Sequence, residues 1–286
     1  MNNFSKSVYI SLYISALTLV FIHCVMGLFN QGMFSFWLGI AIATWPALFF
    51  FIKLFALPTA RTSQNLHLIL FSAITGTVLA FILATTVVEI QYALVYGLGI
   101  GLMGSTLYIY WYSRLDRQHN TGLENGQTLP DFKLKSAQGL NWESQDLSNH
   151  PALILFFRGN WCPLCMAQIK EIAKSYQLLE KMGVNVYLVS PQPEANTQAL
   201  AKKFAVNYHF MTDQENKAAT LLGIAAKQGT PKGMEVLGYD SDTVLPTAIL
   251  TDQNGTIIFT DQTDNYRVRP EPDTFIRVFT DHGITA

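Results

Sequence analysis

Hydrophobic positions fall along this chain in two different rhythms. Up to residue 112 they form four nearly unbroken apolar runs, at 8–29, 33–52, 66–88 and 90–112. Each is about 20 residues or longer, enough to cross a hydrocarbon core of about 30 Å as a helix. Helix is the form predicted, because backbone groups in lipid must be satisfied within the segment and no run alternates in polarity as a barrel strand does. Beyond residue 128, short apolar stretches alternate with helical patterns. Strands are predicted over 152–157, 184–190, 247–250 and 256–259, and helices over 163–181, 194–204, 216–222 and 272–279. That alternation predicts an α/β layer with a partly parallel sheet, whose last two strands form a hairpin through Asp252-Gln253-Asn254-Gly255. The polar stretch 113–128 reads as a linker. The expected organisation is a four-helix transmembrane region over 1–112, the linker 113–128, and an α/β domain over 129–286.

Charge sharpens the division. Of 19 basic and 20 acidic residues, only Lys6, Lys53, Arg61 and Glu89 lie before residue 113. A formal net charge of −1 without any basic run gives no electrostatic footing for nucleic acid, and plentiful aliphatic and aromatic residues exclude disorder. Lys6 precedes the first run, Lys53 and Arg61 lie between the second and third, and Arg114 and Arg117 follow the fourth. All five fall on one side of four spans. The positive-inside rule then predicts a multi-pass protein of the inner (cell) membrane with both termini and the α/β domain in the cytoplasm. One span fewer would put the domain in the periplasm, among oxidising partners. The first run is longer than a signal-peptide core and lacks a small-x-small cleavage site, so it is expected to be retained.

Within the apolar half, His23 with Cys24 and His67 belong to different depths, which argues against a bis-histidine haem. Gly97 and Gly101 have the GxxxG spacing of close helix packing. Glu89 falls at a predicted helix end and reads as interfacial.

Candidate chemistry lies in the other half. Three cysteines are too few for a disulfide framework, but Cys162-Pro163-Leu164-Cys165 has the spacing of redox or metal chemistry. It follows a predicted buried strand and opens the next helix. Free N–H groups and the dipole at a helix start lower a thiol pKa from about 8.5 to roughly 3.5–7.5, and Pro163 suits the first helical turn. Cys162 is thus the predicted nucleophile and Cys165, one turn further in, the resolving thiol. Zinc would need about four ligands. The remaining cysteine, Cys24, is in the apolar half and the histidines at 119, 150, 209 and 282 are scattered, so neither metal nor other cofactor is expected.

The stretch FFRGNWCPLC, with LPDF upstream and VYLVSPQPE, LPTAILTDQNGTIIF and DNYRVRPEP downstream, resembles the peroxiredoxin-like branch of the alkyl hydroperoxide reductase and thiol-specific antioxidant family. The resemblance spans residues 122–283 and implies a thioredoxin fold. The fold class expected is therefore an α/β thioredoxin-like domain preceded by an all-α bundle of four transmembrane helices. Two positions depart from the family pattern. Glycine at 159 stands where the resemblance implies a Thr or Ser that orients peroxide, and Pro246 where it implies a thiolate-holding arginine. Pro246 is similar instead to the cis-proline with which thioredoxins receive a substrate backbone, the alternative being an ordinary trans proline at a strand start. Trp161 is similar to the thioredoxin tryptophan that forms an apolar contact surface; plain packing is its other reading. Arg158 either supplies positive potential at Cys162 or pairs with an acid.

These departures make thiol–disulfide exchange the leading expectation, with a disulfide-containing protein as substrate, a thiol electron donor and the lipid bilayer as partners. A thiol peroxidase acting on a peroxide and a non-enzymatic membrane redox sensor are the alternatives.

Overall fold

The computed structural model describes residues 3–117, 121–147, 149–204 and 206–286. Residues 118–120 of the expected linker, His119 among them, lie outside the described residues. Two compact units emerge. One takes Val8–Leu57 and Thr62–Arg114; the other takes Met1–Ser7, Pro58–Arg61 and Leu115–Ala286.

The first unit is helical, built on α1 (Phe4–Gln31), α2 (Phe36–Ala56), α3 (His67–Leu83) and α4 (Val87–Tyr112). By length and composition α1, α2 and α4 are able to cross a membrane, whereas α3 has 17 residues. The third and fourth runs divide earlier than predicted. Thr86 caps α4 by accepting the Glu89 N–H at 3.3 Å, and the Glu89 carboxylate accepts the Thr86 N–H at 3.1 Å, a reciprocal box that fixes the helix start. Large apolar side chains such as Leu68 and Ile82 point outward, 84% and 72% exposed. The closest packing is not on the GxxxG of α4. A Cβ on Gly39 would lie 2.3 Å from the Ala80 nitrogen, and one on Gly76 2.3 Å from the Ala43 nitrogen, so α2 and α3 touch backbone to backbone; on the GxxxG itself the nearest atoms are 3.4 Å from Gly97 and, on Ala43, 3.1 Å from Gly101.

The second unit contains a seven-stranded sheet in the order β2-β1-β5-β4-β3-β8-β9. Its strands are β1 (Lys133–Ser136), β2 (Asn141–Glu143), β3 (Ala152–Phe156), β4 (Asn185–Ser190), β5 (His209–Thr212), β8 (Thr247–Thr251) and β9 (Ile257–Asp261). Two-residue strands β6 (Ala225–Ala226) and β7 (Thr243–Val244) pair apart from it. β3 pairs parallel with β4, and β4 with β5; the remaining pairs are antiparallel. Continuous apolar strands belong at such a centre, and all five β3 residues are buried. The hairpin between β8 and β9 forms as predicted. Asp252 Oδ1 accepts the N–H groups of Asn254 and Thr256, both at 2.8 Å, and Gly255 takes a φ of +77°.

Helices α5 (Pro163–Lys174) and α6 (Tyr176–Lys181) replace the single helix predicted over 163–181, because Ser175 leaves helical geometry at φ −90°, ψ 10°. After α7 (Glu194–Lys203), the short α8 (Lys217–Leu221) starts on the buried Asp213, whose carboxylate accepts the Ala218 and Ala219 N–H groups at 2.8 Å. α9 (Pro272–Asp281) follows β9 and buries Phe275 and Phe279.

Candidate active site

β3 delivers the chain into a tight turn. The Phe157 N–H still bonds the β4 carbonyl of Val189 at 2.9 Å, after which Gly159 adopts a φ of +146°. A Cβ there would lie 2.7 Å from Trp161 Nε1. A glycine is therefore what this turn admits, which explains why no Thr or Ser stands at 159. The Cys162 N–H closes the turn onto the Gly159 carbonyl at 3.1 Å, Cys162 becomes the N-cap of α5, and Pro163 takes the first helical position as predicted. Both thiols are free and enclosed: Cys162 is 2% exposed and Cys165 0%.

The group that defines the site's charge was not among the sequence candidates. Arg269, in the segment between β9 and α9, is itself buried. Its Nη2 lies 3.4 Å from Cys165 Sγ and 3.9 Å from Cys162 Sγ, its Nη1 donates to Gln168 Oε1 at 2.9 Å, and its Nε donates to the Tyr266 carbonyl at 3.0 Å. None of these partners is a carboxylate. A buried cation without an acid is costly unless some neighbour ionises, and the thiol pair is the acidic group present. The pair behaves accordingly. Burial pushes the Cys162 thiol up, assisted by its hydrogen bond to Cys165 and by that neighbour's charge. For Cys165 burial acts in the same direction, but the Cys162 hydrogen bond and then the Arg269 guanidinium outweigh it and hold the thiol below its ordinary range. The thiol held down is the one whose sulfur lies nearer Arg269.

Arg158 joins the site at one remove. Its guanidinium stacks 4.7 Å over the Trp161 ring and 5.9 Å from the Tyr266 ring, and its Nη2 donates to the Gly229 carbonyl. It thus adds positive potential at Cys162 and also packs Trp161; these partners are rings and a carbonyl, not the acid of the other reading. Beside them the Asn160 N–H donates to Gln192 Oε1 at 2.8 Å, and the Tyr239 hydroxyl donates to Asn160 Oδ1.

Pro246 differs from the thioredoxin-like expectation. Its peptide bond is trans, and the backbone around it is engaged from within: the Leu245 N–H bonds the Ile224 carbonyl at 2.8 Å. Arg117 donates from Nη2 to the Pro246 carbonyl at 2.7 Å and from Nη1 to Thr247 Oγ1 at 2.9 Å. The groups an extended substrate backbone would use are already satisfied. The chain thus gathers Cys162, Pro163, Cys165, Trp161 and Arg158, while Pro246 has a structural role. Arg269, Gln168 and Arg117 were missed as site residues; for Arg269 the visible signal was the DNYRVRPEP run, which entered only as part of the family resemblance. Among the described residues, no three His, Cys, Asp or Glu side chains gather as metal ligands.

The AhpC/TSA family matches residues 125–260, which contain the β3 turn and the dithiol pair. This part of the chain is similar to the peroxiredoxins of that family. Among its relatives, peroxiredoxin Q of Gentiana triflora is 27% identical over 121 residues, 42% of this chain and 56% of the relative. Peroxiredoxin Q of Populus jackii is 26% identical over 124 residues, 43% of this chain and 58% of the relative. The chain therefore spans less than two thirds of these relatives. The crystal structure of peroxidoxin BcpB from Mycobacterium tuberculosis aligns at 15% identity with a TM-score of 0.45, covering 57% of this chain and 99% of that one. Arg269 lies beyond the family match, so the dithiol pair draws its cationic neighbour from outside the matched residues.

Proposed function

We propose that this chain is a membrane-anchored thiol peroxidase that reduces a small hydroperoxide with the Cys162–Cys165 pair. The observation that carries this reading is the burial of both sulfurs beside an arginine that, among the described residues, hydrogen-bonds no carboxylate. A sulfur that is 2% exposed disfavours a bulky protein disulfide more than a small peroxide. The engaged backbone at Pro246 also disfavours the leading expectation of protein disulfide exchange. In the reaction, a thiolate of the pair attacks one peroxide oxygen. The S–O bond forms, the O–O bond breaks, and the leaving oxygen takes a proton as alcohol or water. The other thiol then attacks the sulfenic sulfur, releasing water and closing the disulfide. An external thiol donor restores the dithiol with two electrons.

The helices supply the anchor. α3, at 17 residues and about 25 Å, is just long enough to join the three longer helices as a span. Four spans, with Lys6, Lys53, Arg61, Arg114 and Arg117 on one side, favour a multi-pass cell-membrane protein whose domain is cytoplasmic.

The full chain in detergent, reduced and mixed with hydrogen peroxide or cumene hydroperoxide under excess dithiothreitol, should consume peroxide through many turnovers and pass through a Cys162–Cys165 disulfide. Absence of peroxide consumption would sink the proposal. A single oxidation without turnover would point to the sensor alternative.

A further inference from the structure

The two sulfurs are not equivalent. Cys162 Sγ occupies the N-cap of α5 and accepts the Cys165 N–H at 3.4 Å, as an N-cap oxygen does with the N3 amide. Cys165 sits inside the first turn, and Arg269 lies nearer to its sulfur, at 3.4 Å against 3.9 Å for Cys162. The helix itself sets this preference. Gln168 is three residues beyond Cys165, on the same helix face, and receives the other guanidinium nitrogen at 2.9 Å. Gln168 is buried, and its acceptor is a neutral amide, so it aims Arg269 at Cys165 without cancelling the charge.

We infer that Cys165 is the sulfur that attacks the peroxide, and that Cys162 first gives its proton to the leaving oxygen and then resolves the sulfenic acid. This rests on the peroxidase reading above and reverses the roles that a helix-start position alone predicts. The directions in which the two thiols titrate agree with it: Cys165 is held down by the Cys162 hydrogen bond and Arg269 despite burial, while Cys162 is pushed up by burial. The steps balance. The Cys165 thiolate bonds the terminal peroxide oxygen, the O–O pair departs with the distal oxygen, and that alkoxide takes the Cys162 thiol proton. The resulting Cys162 thiolate attacks Cys165 sulfur and expels hydroxide, which solvent protonates. Two electrons leave the sulfurs and reduce the peroxide to alcohol and water.

The test uses the full chain carrying Cys162→Ser or Cys165→Ser, mixed with hydrogen peroxide in a stopped-flow instrument, with dimedone trapping and mass spectrometry to locate sulfenic acid. Serine at 162 keeps a cap and a proton donor. Cys162→Ser should form sulfenic acid at Cys165, slower than the wild type by no more than about 10²-fold, and fail to turn over. Cys165→Ser should react about 10³-fold slower or worse. Equal rates, a faster Cys165→Ser, or no sulfenic acid in Cys162→Ser while the wild type reacts would each overturn the assignment. In the wild type, sub-stoichiometric peroxide with dimedone should label Cys165; label on Cys162 would contradict it without reliance on either variant. A wild type inert to peroxide would instead overturn the peroxidase reading itself.

Discussion

Arg269 organises the site because its charge is buried and, among the described residues, the acidic groups it hydrogen-bonds are two thiols. Oxidation to the disulfide removes the anion it faces, so the reduced form is the one this arginine stabilises. Arg269→Met should therefore slow peroxide reduction by about 10²–10³-fold, the usual loss when a preorganised electrostatic partner is deleted. It should also make the disulfide harder to reduce, moving the potential more negative by about 30 mV for each tenfold change in equilibrium, which redox titration against glutathione would read. Gln168→Glu gives a sharper case. It keeps the acceptor but adds a carboxylate that competes for the guanidinium, so the reactive thiol should titrate about one unit higher. The sign follows directly: a depressed folded pKa means the thiolate persists until the pH falls through that value, and the variant should lose rate at a higher pH than the wild type. A pH–rate profile identical to wild type would reject this role for Gln168. The CxxC was legible in the sequence because its signal is local, a strand, a turn and a helix start within a dozen residues. Arg269 was not, because it reaches Cys165 across 104 residues and only the fold brings it there.

Among the elements, those with strong local rules were read correctly. The hairpin turn at Asp252–Gly255 and the Pro163 helix start each follow from side-chain chemistry at the site itself. The β1–β2 hairpin and β5 escaped notice because they are three or four residues long and β1 reads as Lys-Leu-Lys-Ser, a pattern too short to separate from loop. Glycine at 159 looked like a lost peroxide-orienting group; it is instead what lets Trp161 lie against the turn. Gly159→Thr should accordingly lose peroxide activity, since it forces a branched side chain into φ +146° and against the indole. Asp213→Ala, which leaves the α8 start uncapped, should cost about 1–2 kcal/mol in thermal or denaturant unfolding, with the dithiol chemistry intact. In the helical unit, Gly76→Leu should do more damage than Gly97→Leu, because its Cβ meets backbone of α2 at 2.3 Å. Heat-inactivation times of the two variants in detergent would show the ranking, and equal times would contradict it.

At the scale of the whole molecule, composition alone separated an apolar part from one that carries nearly all the charges, and the two compact units divide at Arg114 and Leu115. The sequence could not reveal that Met1–Ser7 and Pro58–Arg61 group with the second unit, since no local pattern marks them. If the domain is cytoplasmic, a reporter active only after export should stay silent when fused after Ala286; activity there would contradict the cytoplasmic placement. The claim on which everything else depends is that this enclosed pair serves a small peroxide and not a protein disulfide. Its most direct measurement is competition: the reduced full chain mixed with hydrogen peroxide and a protein disulfide at equal concentration, with the oxidised product of each followed in time. Peroxide should oxidise Cys162 and Cys165 at least about 10²-fold faster. Faster oxidation by the protein disulfide would contradict the claim.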